Sequence, residues 1–334
     1  MPAPESSPPR PPAAWRLKLG PDFLAVALGA LWIGDALLQL QPQMFTPAFS
    51  DQVLYSTALM YQPPGLSAFL LAVARLEAAN LTATTLLIAA VQLALGAALL
   101  LPATRRAGLA ASAAWATAVW VLGEGMGFMA TGTASLWSGA PGAALIYLAL
   151  SLLALRGLRD PTSWVRTGLW IWTLYWGIGA LLDLAWRYPP GAVMAYNLQA
   201  AAQSAPGFLQ SLDYRLARLA LQLQWPVVVA FTLIYVFLAT AVWRTRLRRA
   251  ALTLGVLLLS ALWVLGQGLG GVFTGVATDL NTAPLVALLA AVLLGAARPA
   301  SNLDTPDGPP RTTKKRDPAM TYSPTPLPGQ YHRR

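Results

Sequence analysis

The sequence predicts an all-α polytopic membrane protein of about eight transmembrane helices, built as two parallel four-helix repeats. Three observations carry this. Of 334 residues, 56% are hydrophobic and 11% are charged, against about 25% charged in an average soluble domain. The apolar residues gather in runs near the ~17–25 residues of a spanning helix. The chain also repeats itself: Trp120 and Trp263, 143 residues apart, open matching segments.

The elements follow in order. Residues 1–20 hold six prolines with Arg10, Arg16 and Lys18, and predict a disordered tail. They do not read as a signal peptide, because the charged region is long and the apolar run behind it reaches spanning length. Residues 298–334 hold eight prolines and seven basic residues and predict a second disordered tail. Between them lie the apolar runs 22–40, 81–101, 107–122 and 142–157, then 167–186, 225–243, 250–266 and 283–297. The two membrane units are 21–160 and 161–297.

Charge orients the spans. With a cytoplasmic N-terminus, 19 of the 23 Lys and Arg fall on the cytoplasmic side, leaving only Arg75, Arg187, Arg215 and Arg218 outside. Such a bias is how topology is encoded. It predicts a multi-pass protein of a bacterial-type inner membrane with both termini cytoplasmic. The net charge of +10 is therefore a topology signal, and nucleic acid is excluded as a partner; the lipid bilayer is the expected one.

The repeat is gapless. Residues 120–141 (WVLGEGMGFMATGTASLWSGAP) and 263–284 (WVLGQGLGGVFTGVATDLNTAP) share 11 of 22 positions. The same offset pairs Arg105-Arg106 with Arg248-Arg249, Arg75 with Arg218, and Gly34 with Gly177. Four spans per unit is an even number, so the copies enter from one side and are parallel. In each unit a long connection follows the first span, 41–80 and 187–224. Each turns amphipathic, with Leu66, Phe69, Leu70, Val73 and Leu76 in the first and Leu209, Leu212, Leu216, Leu219 and Leu223 in the second. This spacing predicts interfacial or re-entrant helices.

A four-helix unit with a long first connection resembles the DoxX-like membrane superfamily, here tandemly duplicated. LQLQPQMF (38–45) with WVLGEGMGFMATGTASLWSGAPGAALIY (120–147) is also similar to uncharacterised actinobacterial integral membrane proteins. The resemblance covers about 22–297 and implies a membrane subunit of a quinone-linked redox system, or a partner of antioxidant proteins. It carries over no catalytic residue.

Zero cysteines and a single histidine, His332, exclude disulfides, thiol redox chemistry and the usual zinc, copper and haem sites. Quinone stays open as a cofactor; no metal is expected. The candidate ligand-binding residues are Asp35, Arg75, Glu124, Thr131, Asp183, Arg218, Gln267 and Thr274. A carboxylate inside a span is expensive and marks function by default, and Arg75 and Arg218 are the natural partners for Asp35, Asp183 and Glu124. Glu124 and Gln267 are repeat mates, so only the first motif carries the charge. The glycines at 123–127 and 266–270 have two readings, close helix packing or irregular backbone lining a cavity. The tryptophans, among them Trp120, Trp137, Trp225 and Trp263, read as interface anchors. The function expected is a non-catalytic membrane subunit or scaffold binding lipid or quinone for a redox or membrane-complex partner. The alternative is a small-solute transporter with its site at the repeat seam; a lipid-modifying enzyme is a third, weaker reading, with no catalytic His, no Cys and no paired-carboxylate motif in a loop to carry it.

Overall fold

The computed structural model describes residues 19–185 and 188–296. The two predicted tails, apart from residues 19 and 20, and Arg187 lie outside the described residues. The described chain is all-helical, with no strand.

Helix α1, Pro21–Gln39, starts on a proline whose missing N–H costs nothing at a helix N-terminus. A stretch of short turns follows, holding α2, Pro47–Phe49, and α3, Ser56–Leu59. Helix α4, Pro64–Ala79, again opens on proline. Then come α5, Leu81–Leu100; α6, Arg105–Leu122; and α7, Ala143–Arg159. The second half contains α8, Trp164–Asp183; α9, Ala192–Ser204; α10, Gly207–Leu223; α11, Trp225–Ala241; α12, Thr245–Ala261; and α13, Thr282–Ala296. A wide turn over Leu262–Gly266 extends α12.

Helices stand at all eight predicted apolar runs, and α4 and α10 at the two amphipathic ones. Three helices are long and apolar enough to cross a membrane by length and composition: Pro21–Gln39, Leu81–Leu100 and Thr245–Gly266. A fourth candidate is the pair α10–α11, bent by 103° at Gln224, whose φ of +48° is unusual for a side-chain-bearing residue.

Each half packs in the same way. Helix α1 lies on α5 and α6 lies on α7; likewise α8 lies on α11 and α12 on α13. Helices α7 and α13 touch each other, and both touch α8. Gly29 and Gly96 let the α1 and α5 backbones meet, since a Cβ on either would press on the other's carbonyl oxygen. Local detail also repeats. The Arg105 side chain donates from Nε to the Leu99 carbonyl at 3.1 Å, and Arg248 donates to the Val242 carbonyl at 2.9 Å.

Trp32, Trp172 and Trp176 are fully buried core residues, and Trp137 packs edge-on against Phe231 with ring centroids 5.2 Å apart. The interface-anchor reading of the tryptophans is corrected for these four. In a chain this apolar, indole is as useful for filling space between helices as for holding a lipid boundary.

Candidate functional site

The first half encloses a chamber of about 280 Å³. Helix α1 lines it with Trp32, Asp35 and Gln39, one turn apart on one face. Glu77 comes from α4, Gln92 from α5, Trp115 from α6 and Tyr147 from α7. Glu124 arrives from the first glycine loop and Asp279 from the loop before α13. No Lys or Arg among the described residues lines it.

Its polar groups are half satisfied. Tyr147 donates its hydroxyl to Oδ2 of Asp35 at 2.6 Å, and stacks on Trp32 with centroids 4.2 Å apart. Trp32 donates to Ser112 Oγ at 2.8 Å. Ser50 donates to Oε2 of Glu77 at 2.6 Å. The Ala144 N–H donates to Oε1 of Glu124 at 2.9 Å, at the start of α7, where the helix dipole favours an acid. The remaining oxygens have no partner among the described residues: Asp35 Oδ1, Gln39 Oε1, Glu77 Oε1, Gln92 Oε1 and Glu124 Oε2. The Trp115 indole N–H is likewise unpartnered. Buried polar atoms left this way cost about 1–3 kcal/mol each, so their collection around one cavity points to an occupant.

Burial raises three of the acids that line the chamber from outside the predicted apolar runs. Glu124 is pushed up to about 8, by desolvation first and by the neighbouring Asp279 charge second, against the N–H groups of Ala144 and Ala143. Asp279 is raised by burial, opposed by the Asn281 N–H and the Thr278 hydroxyl. Glu77 is raised by burial, opposed by Ser50.

The second half has the same scaffold without this lining. At the offset of 143, Asp35 becomes Ile178, Gln39 becomes Leu182 and Glu77 becomes Ala220. Gln92 becomes Tyr235, Trp115 becomes Leu258 and Tyr147 becomes Ala290. Trp172, Tyr175, Trp176 and Tyr235 are buried there, with Trp176 5.4 Å from Tyr235 between centroids. Gly255 makes room for the Trp172 ring, which a Cβ there would strike.

The glycine motifs are irregular loops, which corrects the helix-packing reading. Gly125, Met126 and Gly127 have φ of +52°, +57° and +63°, and Gly268, Leu269 and Gly270 have +52°, +58° and +72°. A Cβ on Gly127 would overlap the Pro141 carbonyl. The loops cross over. Leu136, from the first half, packs where a Cβ on Gly179 of α8 would sit. Its repeat mate Asp279 enters the chamber of the first half. A second cavity of about 330 Å³ lies between the loops, lined by Gly127, Gly139, Gly270 and Asn281 among others. It shares Val53, Glu124, Thr278 and Asp279 with the chamber, so these four side chains stand between the two spaces.

Of the predicted residues, Asp35 and Glu124 meet on the chamber. Arg75 and Arg218 are exposed and do not line it; their expected pairing with the acids is corrected, because Tyr147 and the α7 N-terminus hold Asp35 and Glu124 instead. Asp183 lines a separate cavity of about 100 Å³ near Trp225 and Phe231. Thr131 and Thr274 brace their loops, donating to the carbonyls of Phe128 and Gly271 at 2.8 and 2.7 Å; Thr274 also borders the loop cavity. Gln267 accepts from Ala283 N–H at 3.2 Å and donates to the Leu136 carbonyl at 3.1 Å, a cross-tie between the halves. Sequence reasoning missed Gln39, Glu77, Gln92, Trp115, Tyr147 and Asp279. The signal was present: Gln39, Glu77, Trp115 and Tyr147 align with Leu182, Ala220, Leu258 and Ala290 in the other copy. Among the described residues no three His, Cys, Asp or Glu side chains form a metal-ligand set. Compared with known proteins, the chain matches no family model, no curated protein and no solved structure.

Proposed function

We propose that the chain is a non-catalytic, ligand-binding integral membrane protein whose first repeat holds the ligand and whose second repeat serves as scaffold. In this reading eight helices cross a bacterial-type inner membrane as two parallel four-helix repeats, both termini are cytoplasmic, and the unit is a duplicated relative of the DoxX-like superfamily. The observation that carries it is the asymmetry between the copies. One holds a chamber lined by unpartnered carboxyl and amide oxygens, while the other carries aliphatic and aromatic residues at the matching positions. An intramembrane acid without a basic partner marks a functional site.

The test is occupancy. Native mass spectrometry of the gently purified protein should show a bound small molecule, and Ala118→Trp, which fills the chamber wall, should lose it. The same adduct on both proteins would sink the proposal. Labelling tests the topology: Ala103→Cys and Arg246→Cys should react only from the cytoplasmic side, on a background with no cysteine.

A small-solute transporter is the second reading. It is favoured by the contiguity of chamber and loop cavity across Glu124 and Asp279, which supplies the two halves of a route. Its site is the chamber inside the first repeat, with the seam as the approach.

A further inference from the structure

We infer that the chamber takes a small organic ammonium ion, with its charge beside Asp35, Glu124 and Asp279 and its apolar body along the aromatic wall. This rests on the chamber being a ligand site, and names what fits it.

Three features of the wall select this class. The first is the chemistry of the lining acids. Four carboxyl groups line the space, and three of them, Asp35, Glu77 and Glu124, keep an oxygen without a hydrogen-bond partner among the described residues. An occupant that completes these acids must bring N–H or O–H groups. A quinone has none to give the carboxyl oxygens, and an anionic headgroup would meet four carboxyl groups with no Lys or Arg among the described residues to receive it. The second is charge. Asp35 and Glu124 each accept a protein donor on one oxygen and leave the other without a partner among the described residues, the arrangement a positive N–H donor completes. A bare metal ion needs several oxygens converging on one point, and no such set forms among the described residues. The third is the rest of the lining. Trp32, Trp115, Tyr147 and Phe49 present rings to the space, and ring faces attract a cation while accommodating an alkyl or aryl body. About 280 Å³ lies just below the ~300–1,000 Å³ of drug-sized sites, so the ligand is small.

The neutral mates of these groups in the second copy supply a built-in comparison. Gln267 stands where Glu124 does, holds the start of the next helix through the same kind of backbone bond, and shows that the loop folds around an uncharged amide of equal length. Glu124→Gln therefore removes the group that can ionise against a cation without removing the scaffold.

The experiment uses the full chain in nanodiscs with three probes of one shape: 4-phenylbutylammonium, 4-phenylbutan-1-ol and 4-phenylbutyrate, with menadione as a small quinone. Binding is read by calorimetry and by quenching of tryptophan fluorescence. The ammonium ion should bind saturably, about ten- to a hundredfold more tightly than the alcohol, the worth of charged hydrogen bonds, and the carboxylate and menadione should not bind. Glu124→Gln and Asp35→Asn should each bring the ammonium ion to the level of the alcohol while leaving alcohol binding intact; if Asp35→Asn does not fold, Glu124→Gln decides. Ala118→Trp should abolish binding of both. Equal affinity for ammonium and alcohol, or preference for menadione, overturns the cation while keeping the chamber as a site. Binding that survives Ala118→Trp, or no binding of any probe, overturns the cation and the chamber together.

Discussion

Tyr147 donates its hydroxyl to Asp35 over 2.6 Å and holds one side of a buried carboxyl group whose other oxygen has no partner among the described residues. The ring also stacks on Trp32, so Tyr147→Phe keeps the packing and deletes the bond. Loss of a hydrogen bond to an acid costs about 1.5–3 kcal/mol. The melting temperature in detergent should fall clearly in Tyr147→Phe, and the Tyr147→Phe/Asp35→Asn double variant should lose less than the sum of the two singles. Additive losses would show that the pair does not act as one unit.

Glu124 gives the protein a pH dependence with a definite sign. Its ordinary value of 4.5 rises to about 8 in the fold, so the folded state holds a proton that the unfolded state has released. Stability then falls as pH rises through that window; Glu77 and Asp279, raised in the same direction, add to the trend. The wild-type melting temperature should decline from about pH 5 to about pH 8, and Glu124→Gln should flatten the curve. An unaltered slope would remove Glu124 as its source.

The glycine loops predict a sharp contrast between glycines. Gly127 combines a φ of +63° with a carbonyl where its Cβ would be. Gly177 lies inside α8 with open space around it. Gly127→Ala should abolish folded yield in fluorescence-detected size-exclusion chromatography. Gly177→Ala should leave it unchanged or raise stability by up to about 1 kcal/mol.

The arginines should divide by what they touch. Arg105 bonds the carbonyls of Leu99 and Leu100 and reaches Asp22 at 2.6 Å. Asp22 is 72% exposed on its side chain, so Asp22→Asn should cost less than about 1 kcal/mol, while Arg105→Ala should cost more by stripping the end of α5. Arg75→Ala and Arg218→Ala, both on exposed positions, should stay within about 0.5 kcal/mol of wild type. Thermal melts of the four variants give the ranking directly.

Helix positions were legible because apolar runs and prolines are local signals. The predicted run 81–101 is helix 81–100, and 225–243 is helix 225–241. Helix α9 was missed: its Asn197 and Gln199 sit among alanines, a composition without periodicity. Half of the site was legible for the reason that an acid in an apolar run is conspicuous, as Asp35 is. The pairing with Arg75 failed because spacing along an amphipathic helix does not tell which face turns inward, and the face carrying Arg75 turns outward. Asp279 was invisible for a different reason: its role depends on a loop from one copy reaching into the other, which no property of residues 272–281 encodes.

That crossing makes the two halves interdependent. Leu136 completes the second half and Asp279 completes the first, so neither half is closed by its own chain segment. A single four-helix unit with this loop would present a gap that only a second unit's loop can fill. Cutting the chain between the halves would therefore leave an opening in each, and the two halves depend on one another to close.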